Sequence, residues 1–86
     1  MPHIILFDDV NFKGGHKHVF QNEAFLDDFN DRASSLIVLE GVWQCFEDAN
    51  FAGRQSMQLG PGLYPQVDDP QRVNIDNDSI SSVKHA

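Results

Sequence analysis

The stretch F-D-D-V-N-F-K-G, Phe7 to Gly14, returns as F-E-D-A-N-F-A-G, Phe46 to Gly53. In both copies the aromatics stand five apart and a glycine follows two positions later. A second repeat runs in step with the first: N-D-R-A-S-S, Asn30 to Ser35, is matched by N-D-S-I-S-S, Asn77 to Ser82. At average residue usage, an acidic-or-amide pair followed two residues later by a hydroxyl pair arises at roughly one position in ten thousand. Two copies in so short a chain therefore mark a tandem duplication of one small unit. Phe7 to Asn30 spans 23 positions and Phe46 to Asn77 spans 31, so the second unit is longer by about eight residues. The stretch P-Q-V-D-D-P-Q-R, Pro65 to Arg72, is where the extra residues are expected.

Around these repeats the apolar and β-branched runs are short and bounded by turn signals. They predict strands at Ile4 to Phe7, Lys17 to Phe20, Leu36 to Leu39, Val42 to Phe46, Gln55 to Leu59 and Ile80 to Lys84. Gly14-Gly15, Glu40-Gly41 and Gly60-Pro61-Gly62 punctuate them, because glycine supplies positive φ and proline presets its own. No helical period is sustained; short helical turns are expected only within Glu23 to Phe29 and Gly62 to Pro65. This strand spacing predicts an all-β fold, an antiparallel sandwich of two sheets.

With 86 residues the chain has the size of one domain, near the lower limit for a core that holds without staples. A single cysteine, Cys45, excludes an internal disulfide. It lies in an apolar strand with no neighbouring base, which predicts an inert buried thiol. The net charge of −7, with acid pairs at Asp8-Asp9, Asp27-Asp28 and Asp68-Asp69, argues against nucleic-acid and anionic-membrane partners and fits a cation binder. Acidic surfaces also serve solubility, so charge alone does not decide. No run approaches the roughly 20 apolar residues of a membrane span, and the start M-P-H-I-I-L-F-D-D lacks the regions of a secretory signal. The expected protein is soluble, with its compartment left open.

Each N-D-x-x-S-S turn offers carboxylate, amide, hydroxyl and main-chain oxygens close together, the ligand types that a hard cation such as Ca²⁺ prefers. For one such turn alone a metal-free, side-chain-stabilised loop is the better account; two matched copies reverse that and favour calcium. An EF-hand is excluded, because neither turn continues with that loop's glycine and terminal glutamate.

Taken together, the two hairpins and the two turns resemble the βγ-crystallin family, and the resemblance covers essentially the whole chain in order. G-V-W-Q-C-F-E and L-G-P-G-L-Y are similar to the entry of the family's second key and to its tyrosine corner. Phenylalanine replaces tyrosine at Phe7 and Phe46, and Phe25 stands near the place of a first corner tyrosine. The resemblance implies two consecutive Greek keys in a single domain, about 1–40 and 41–86, of the microbial single-domain kind. It also implies two Ca²⁺ per chain, each shared between the keys. One site would use the Ser34 hydroxyl, the Arg32 carbonyl, the Asp78 side chain and the Asp8 carbonyl. The other would use the Ser81 hydroxyl, the Ser79 carbonyl, the Asp31 side chain and the Glu47 carbonyl. Asn30, Asn77, Ser35 and Ser82 would hold the turns by local hydrogen bonds. Arg32 carries a cation on a ligating turn, which weakens that site unless the side chain points away.

The function expected is thus non-enzymatic calcium binding that stabilises the fold, in a monomer or weak homodimer with no protein partner specified. A second reading makes the sandwich a protein-interaction or protease-inhibitor module acting through Pro65 to Arg72, with calcium secondary. The serines lack any G-x-S-x-G context for catalysis. His16 and His18, two apart on one strand, share a face and could grip Zn²⁺ or Ni²⁺ with His3 or His85, although ordinary surface histidines are the better reading. Phe7, Phe12, Phe46, Phe51 and Trp43 are expected to serve packing.

Overall fold

The computed structural model describes residues 1–86. Seven strands follow in order: β1 His3–Asp9, β2 Lys13–Val19, β3 Ser35–Glu40, β4 Trp43–Asp48, β5 Ala52–Gln55, β6 Gly62–Tyr64 and β7 Ser82–His85. The only helical elements are two 3-10 turns, Val10–Phe12 and Asp27–Phe29. The strands form two antiparallel sheets, ordered β2-β1-β3-β6 and β5-β4-β7. The all-β sandwich is as the strand spacing predicted.

The order of strands reveals how the halves interlock. Strand β6 belongs to the second half of the chain yet pairs with β3 of the first, Ile37 opposite Leu63. In return Glu23, from the first half, bridges to β7, with Glu23 N–H donating to the Val83 carbonyl at 2.9 Å and Val83 N–H to the Glu23 carbonyl at 3.1 Å. Each sheet is therefore completed by a segment from the other half. Neither half satisfies its backbone groups alone, so the unit that folds is the pair.

Between the sheets lies one core. Strand alternation sends Ile4 and Leu6 of β1, Leu36 and Val38 of β3, Trp43 and Cys45 of β4 and Val83 of β7 inward. Leu26, Phe29, Ala33, Leu59, Val67, Val73, Ile75 and Ile80 fill it from the connections. The Trp43 indole N–H donates to the Glu40 carbonyl at 3.1 Å, so its one polar atom is not stranded. Burial pushes the Cys45 thiol up to about 12, which fits the inert thiol expected. Tyr64 O–H donates to the Gly60 carbonyl four residues back, at 2.8 Å, and closes a corner. Phe25 has no such role and is 48% exposed.

Two local expectations fail. Gly62 to Tyr64 is a strand, not a helical turn, because the free edge of β3 offers it a ladder that outweighs glycine's weak strand preference. Gln55 to Leu59 is not a strand: β5 ends at Gln55, where Ser56 turns inward. Ser56 Oγ accepts the Cys45 N–H at 2.9 Å, Met57 N–H donates to the Val73 carbonyl at 2.9 Å, and Leu59 pairs back to Trp43. The bonds of this segment are split, Ser56 and Leu59 reaching β4 while Met57 turns to Val73, so no continuous ladder forms.

Candidate metal centre

The duplication is written into the backbone. Eight non-glycine residues hold positive φ, and they form four equivalent pairs: Asn11 with Asn50, Phe12 with Phe51, Asp27 with Asn74, and Asp31 with Asp78. Asn and Asp tolerate this left-handed region better than other L-residues. At Phe12 and Phe51 the tertiary structure must impose it. In each hairpin the aromatic rings meet edge to face, Phe7 with Phe12 at 5.8 Å and Phe46 with Phe51 at 5.9 Å. Gly14, at φ 79°, follows the first pair, where an added Cβ would lie 2.8 Å from Asp9 Oδ2. Gly53 likewise crowds Asp48.

The two N-D-x-x-S-S turns lie side by side and bond to each other reciprocally. Asp31 N–H donates to the Ile80 carbonyl at 3.0 Å, and Asp78 N–H to the Ala33 carbonyl at 3.1 Å. Ser34 N–H reaches the Phe7 carbonyl and Ser81 N–H the Phe46 carbonyl, both at 2.8 Å. The side chains cross in the same way. Ser34 Oγ donates to Asp78 Oδ1 at 2.9 Å, and Ser81 Oγ lies 3.2 Å from Asp31 Oδ1 and 2.8 Å from the Glu47 carbonyl. Each turn's first serine thus faces the other turn's aspartate.

Ser35 and Ser82 depart from expectation. Their bonds are not local to the turns but reach the hairpins. Ser35 Oγ donates to the Asp9 carbonyl at 2.5 Å and accepts the Phe12 N–H at 3.0 Å; Ser82 Oγ donates to the Asp48 carbonyl at 2.7 Å and accepts the Phe51 N–H at 3.0 Å. Both hydroxyls are buried and doubly satisfied, so each rivets its turn to the hairpin carrying Asp8 or Glu47. Asn30 does act locally, through Nδ2 to Asp31 Oδ2 at 3.2 Å, while its buried Oδ1 has no partner.

Around this shared frame the charges differ. The Arg32 guanidinium grips both Asp8 oxygens, Nε to Oδ1 at 2.8 Å and Nη2 to Oδ2 at 2.7 Å, donates to the Asp28 carbonyl and lies over the Phe29 ring. This fork holds the Asp8 carboxyl below its ordinary value, helped by Gly15 N–H at 3.1 Å. At the matching position of the second turn stands Ser79, whose hydroxyl donates to the Asp76 carbonyl at 2.6 Å. The Glu47 carboxylate accepts only the Asp76 N–H, at 3.2 Å. Sequence gave no signal for the Arg32–Asp8 pair, which joins residues 24 positions apart.

Asp8, Asp9, Asp31, Arg32 and Asp78 line one shallow depression without an apolar residue. The Arg32 and Ser79 carbonyls accept no hydrogen bond. Each half of the frame therefore presents a carboxylate and a hydroxyl in contact, with an unused carbonyl on the same turn, a donor set suited to a hard cation. Around these turns no three His, Cys, Asp or Glu side chains converge, so a site here must draw on hydroxyl and main-chain oxygens as well.

Known proteins share this fold. The chain is 41% identical to a beta/gamma-crystallin of Ciona intestinalis over 98% of both chains. The structure of a betagamma-crystallin from an Archaea superposes with a TM-score of 0.88 at 32% identity, over 99% of this chain and 98% of that one. A transition-metal-ion-binding betagamma-crystallin from Methanosaeta thermophila does so with a TM-score of 0.78 at 34% identity, over 94% and 96%. The chain spans under half the length of the vertebrate gamma-crystallins it matches. With the Beta/Gamma crystallin family pattern matching residues 3–86, beside the paired hairpins and crossed turns, the chain belongs to the beta/gamma crystallin family.

Proposed function

We propose that this chain is a non-enzymatic, calcium-binding domain in which two Ca²⁺ are shared between the two keys, about 1–40 and 41–86. The observation that carries the reading is the crossing of serine and aspartate between turns, Ser34 to Asp78 and Ser81 to Asp31. Ser34, Asp78 and the Arg32 and Asp8 carbonyls would hold one ion; Ser81, Asp31 and the Ser79 and Glu47 carbonyls would hold the other. Four protein oxygens per ion leave room for water, since Ca²⁺ takes six to eight. The bound ion supplies charge neutralisation where Asp31 and Asp78 border one depression. A relative described as transition-metal-ion-binding supports a metal role for the fold without specifying calcium. Relatives of equal length come from both Ciona intestinalis and an archaeon, so length does not single out a microbial type.

The reading as an interaction or inhibitor module rests on Pro65 to Arg72, and that segment is anchored. Val67 is buried with its N–H on the Ser34 carbonyl at 3.0 Å, and Arg72 donates to the Leu63 carbonyl at 2.9 Å. Calorimetric titration of chelator-treated protein tests the calcium proposal. Two Ca²⁺ per chain are expected, with a rise in melting temperature that Mg²⁺ does not match. A stoichiometry of zero would refute binding, and identical melting curves with Ca²⁺ and chelator would refute the stabilising role.

A further inference from the structure

The outer face of the β2-β1-β3-β6 sheet carries a histidine cluster that the crossed turns do not use. Alternation turns Ile4, Leu6 and Val19 into the core, which leaves His3, Ile5 and Phe7 of β1 and His16 and His18 of β2, with Phe20 just beyond its end, on the opposite face. The register pairs Ile5 with His18 and Phe7 with His16. His3 is thereby diagonal to His18, within cross-strand reach. Their ring nitrogens approach closely, His3 Nε2 to His18 Nδ1 at 2.9 Å. His16 packs edge-on against His18, ring centroids 5.2 Å apart, and Phe20 stacks on His3 at 4.3 Å.

We propose that His3 and His18 are a chelating pair for a borderline divalent transition ion such as Ni²⁺ or Cu²⁺, with His16 as a third imidazole able to turn toward it. The spacing is what the chemistry asks. Two nitrogens bound to one ion at about 2.0 to 2.1 Å and at a right angle lie about 2.9 Å apart, the arrangement of adjacent ligands around a square-planar or octahedral ion. In the neutral pair one facing nitrogen carries a proton and donates it to the other; on ligation that proton moves to the far nitrogen of its own ring, which leaves both facing lone pairs for the ion. Both rings ride on paired strands and His3 stacks on Phe20, so the two nitrogens are kept close, and a modest turn of each ring aims both lone pairs at one ion. Water fills the positions the protein leaves. Imidazole does not suit Ca²⁺, so this site would select a class of ion different from that of the turns.

The test is a calorimetric titration of untagged protein with Ni²⁺ in excess Ca²⁺, which keeps the turns out of the measurement whether or not they bind. One Ni²⁺ per chain is expected. His3→Ala and His18→Ala should each weaken binding by about tenfold or more, the scale already seen when a metal ligand merely loses its support. His85→Ala should leave binding unchanged, and all variants should keep the parent's melting curve, since the cluster lies outside the core. An absent heat up to millimolar Ni²⁺, or full affinity in His18→Ala, would overturn the site. Full affinity in His16→Ala would remove the third ligand from it.

Discussion

The turn at Asn30 to Ser35 and the turn at Asn77 to Ser82 share a backbone and differ in charge. Asp31 and Asp78 both sit at φ 58°, each bonds to the other turn, and each turn is riveted by its second serine. Yet the first turn carries Arg32, forked onto Asp8, where the second carries Ser79 beside a Glu47 free of any cation. Charge thus diverged between the two copies while geometry was kept. Backbone geometry is fixed by hydrogen bonds that must be satisfied inside the fold, whereas a surface side chain is constrained only by its neighbours.

The sharpest way to break the equivalence is to remove one aspartate at a time. Because the side chains cross, Asp31→Ala is expected to disable the site of Ser81, and Asp78→Ala the site of Ser34. An ion that binds the folded state alone adds about 4 kcal/mol at a thousandfold excess over its dissociation constant. Each variant should forfeit a gain of that order for one ion, read as a smaller calcium-induced shift in melting and a stoichiometry of one. Loss confined to the variant's own turn would show that the turns do not share ions.

A smaller effect tests whether the rivets are equal. Ser35→Ala and Ser82→Ala each leave a part-buried N–H and a carbonyl without their partner, at a cost of about 1–3 kcal/mol per variant. Urea unfolding in chelator should show matching losses for the two variants. Unequal losses would mean that one hairpin relaxes where the other cannot.

The smallest effect isolates the charge. Arg32→Ser copies the second turn onto the first and removes a cation beside the Ser34–Asp78 site. A unit charge some 4 Å away in water is worth about 1 kcal/mol, so affinity at that site should rise severalfold and Ser79→Arg should lower the other by a similar factor. The same variant has a signature in acid. The folded Asp8 pKa is depressed chiefly by its hydrogen bonds to Arg32, so the pair's stabilisation is present above the ordinary carboxylate pKa and is lost as pH falls through the lower folded value. In chelator, Arg32→Ser should therefore flatten the dependence of stability on pH below about pH 4. An unchanged acid profile would show that the fork contributes nothing.

Much of this was legible in the chain itself. The duplication, the strand spacing and the Asn, Asp and Gly residues suited to positive φ are local properties, and they carried the sandwich, the hairpins and the turns. Ser34, Ser81, Asp31 and Asp78 were named from motif position, and the structure brings each serine to the aspartate of the other turn. Where local preference was weak, sequence misled: Gly62 to Tyr64 became a strand only because β3 offered an edge, and Gln55 to Leu59 lost its ladder to Ser56.

What tertiary structure alone decided are the partners of long reach. Ser35 bonds to the first hairpin, Arg32 to Asp8, His3 to His18, and Glu23 to Val83, across separations that no local pattern encodes. Sequence by itself determined that two like units exist and what oxygens their turns carry, because a residue's preferred φ and its ligand chemistry travel with it. Which turn faces which serine, and which carboxylate Arg32 neutralises, follows from strand register. Register is settled only when both sheets close over a common core, since a one-residue slip would turn every inward side chain out to solvent.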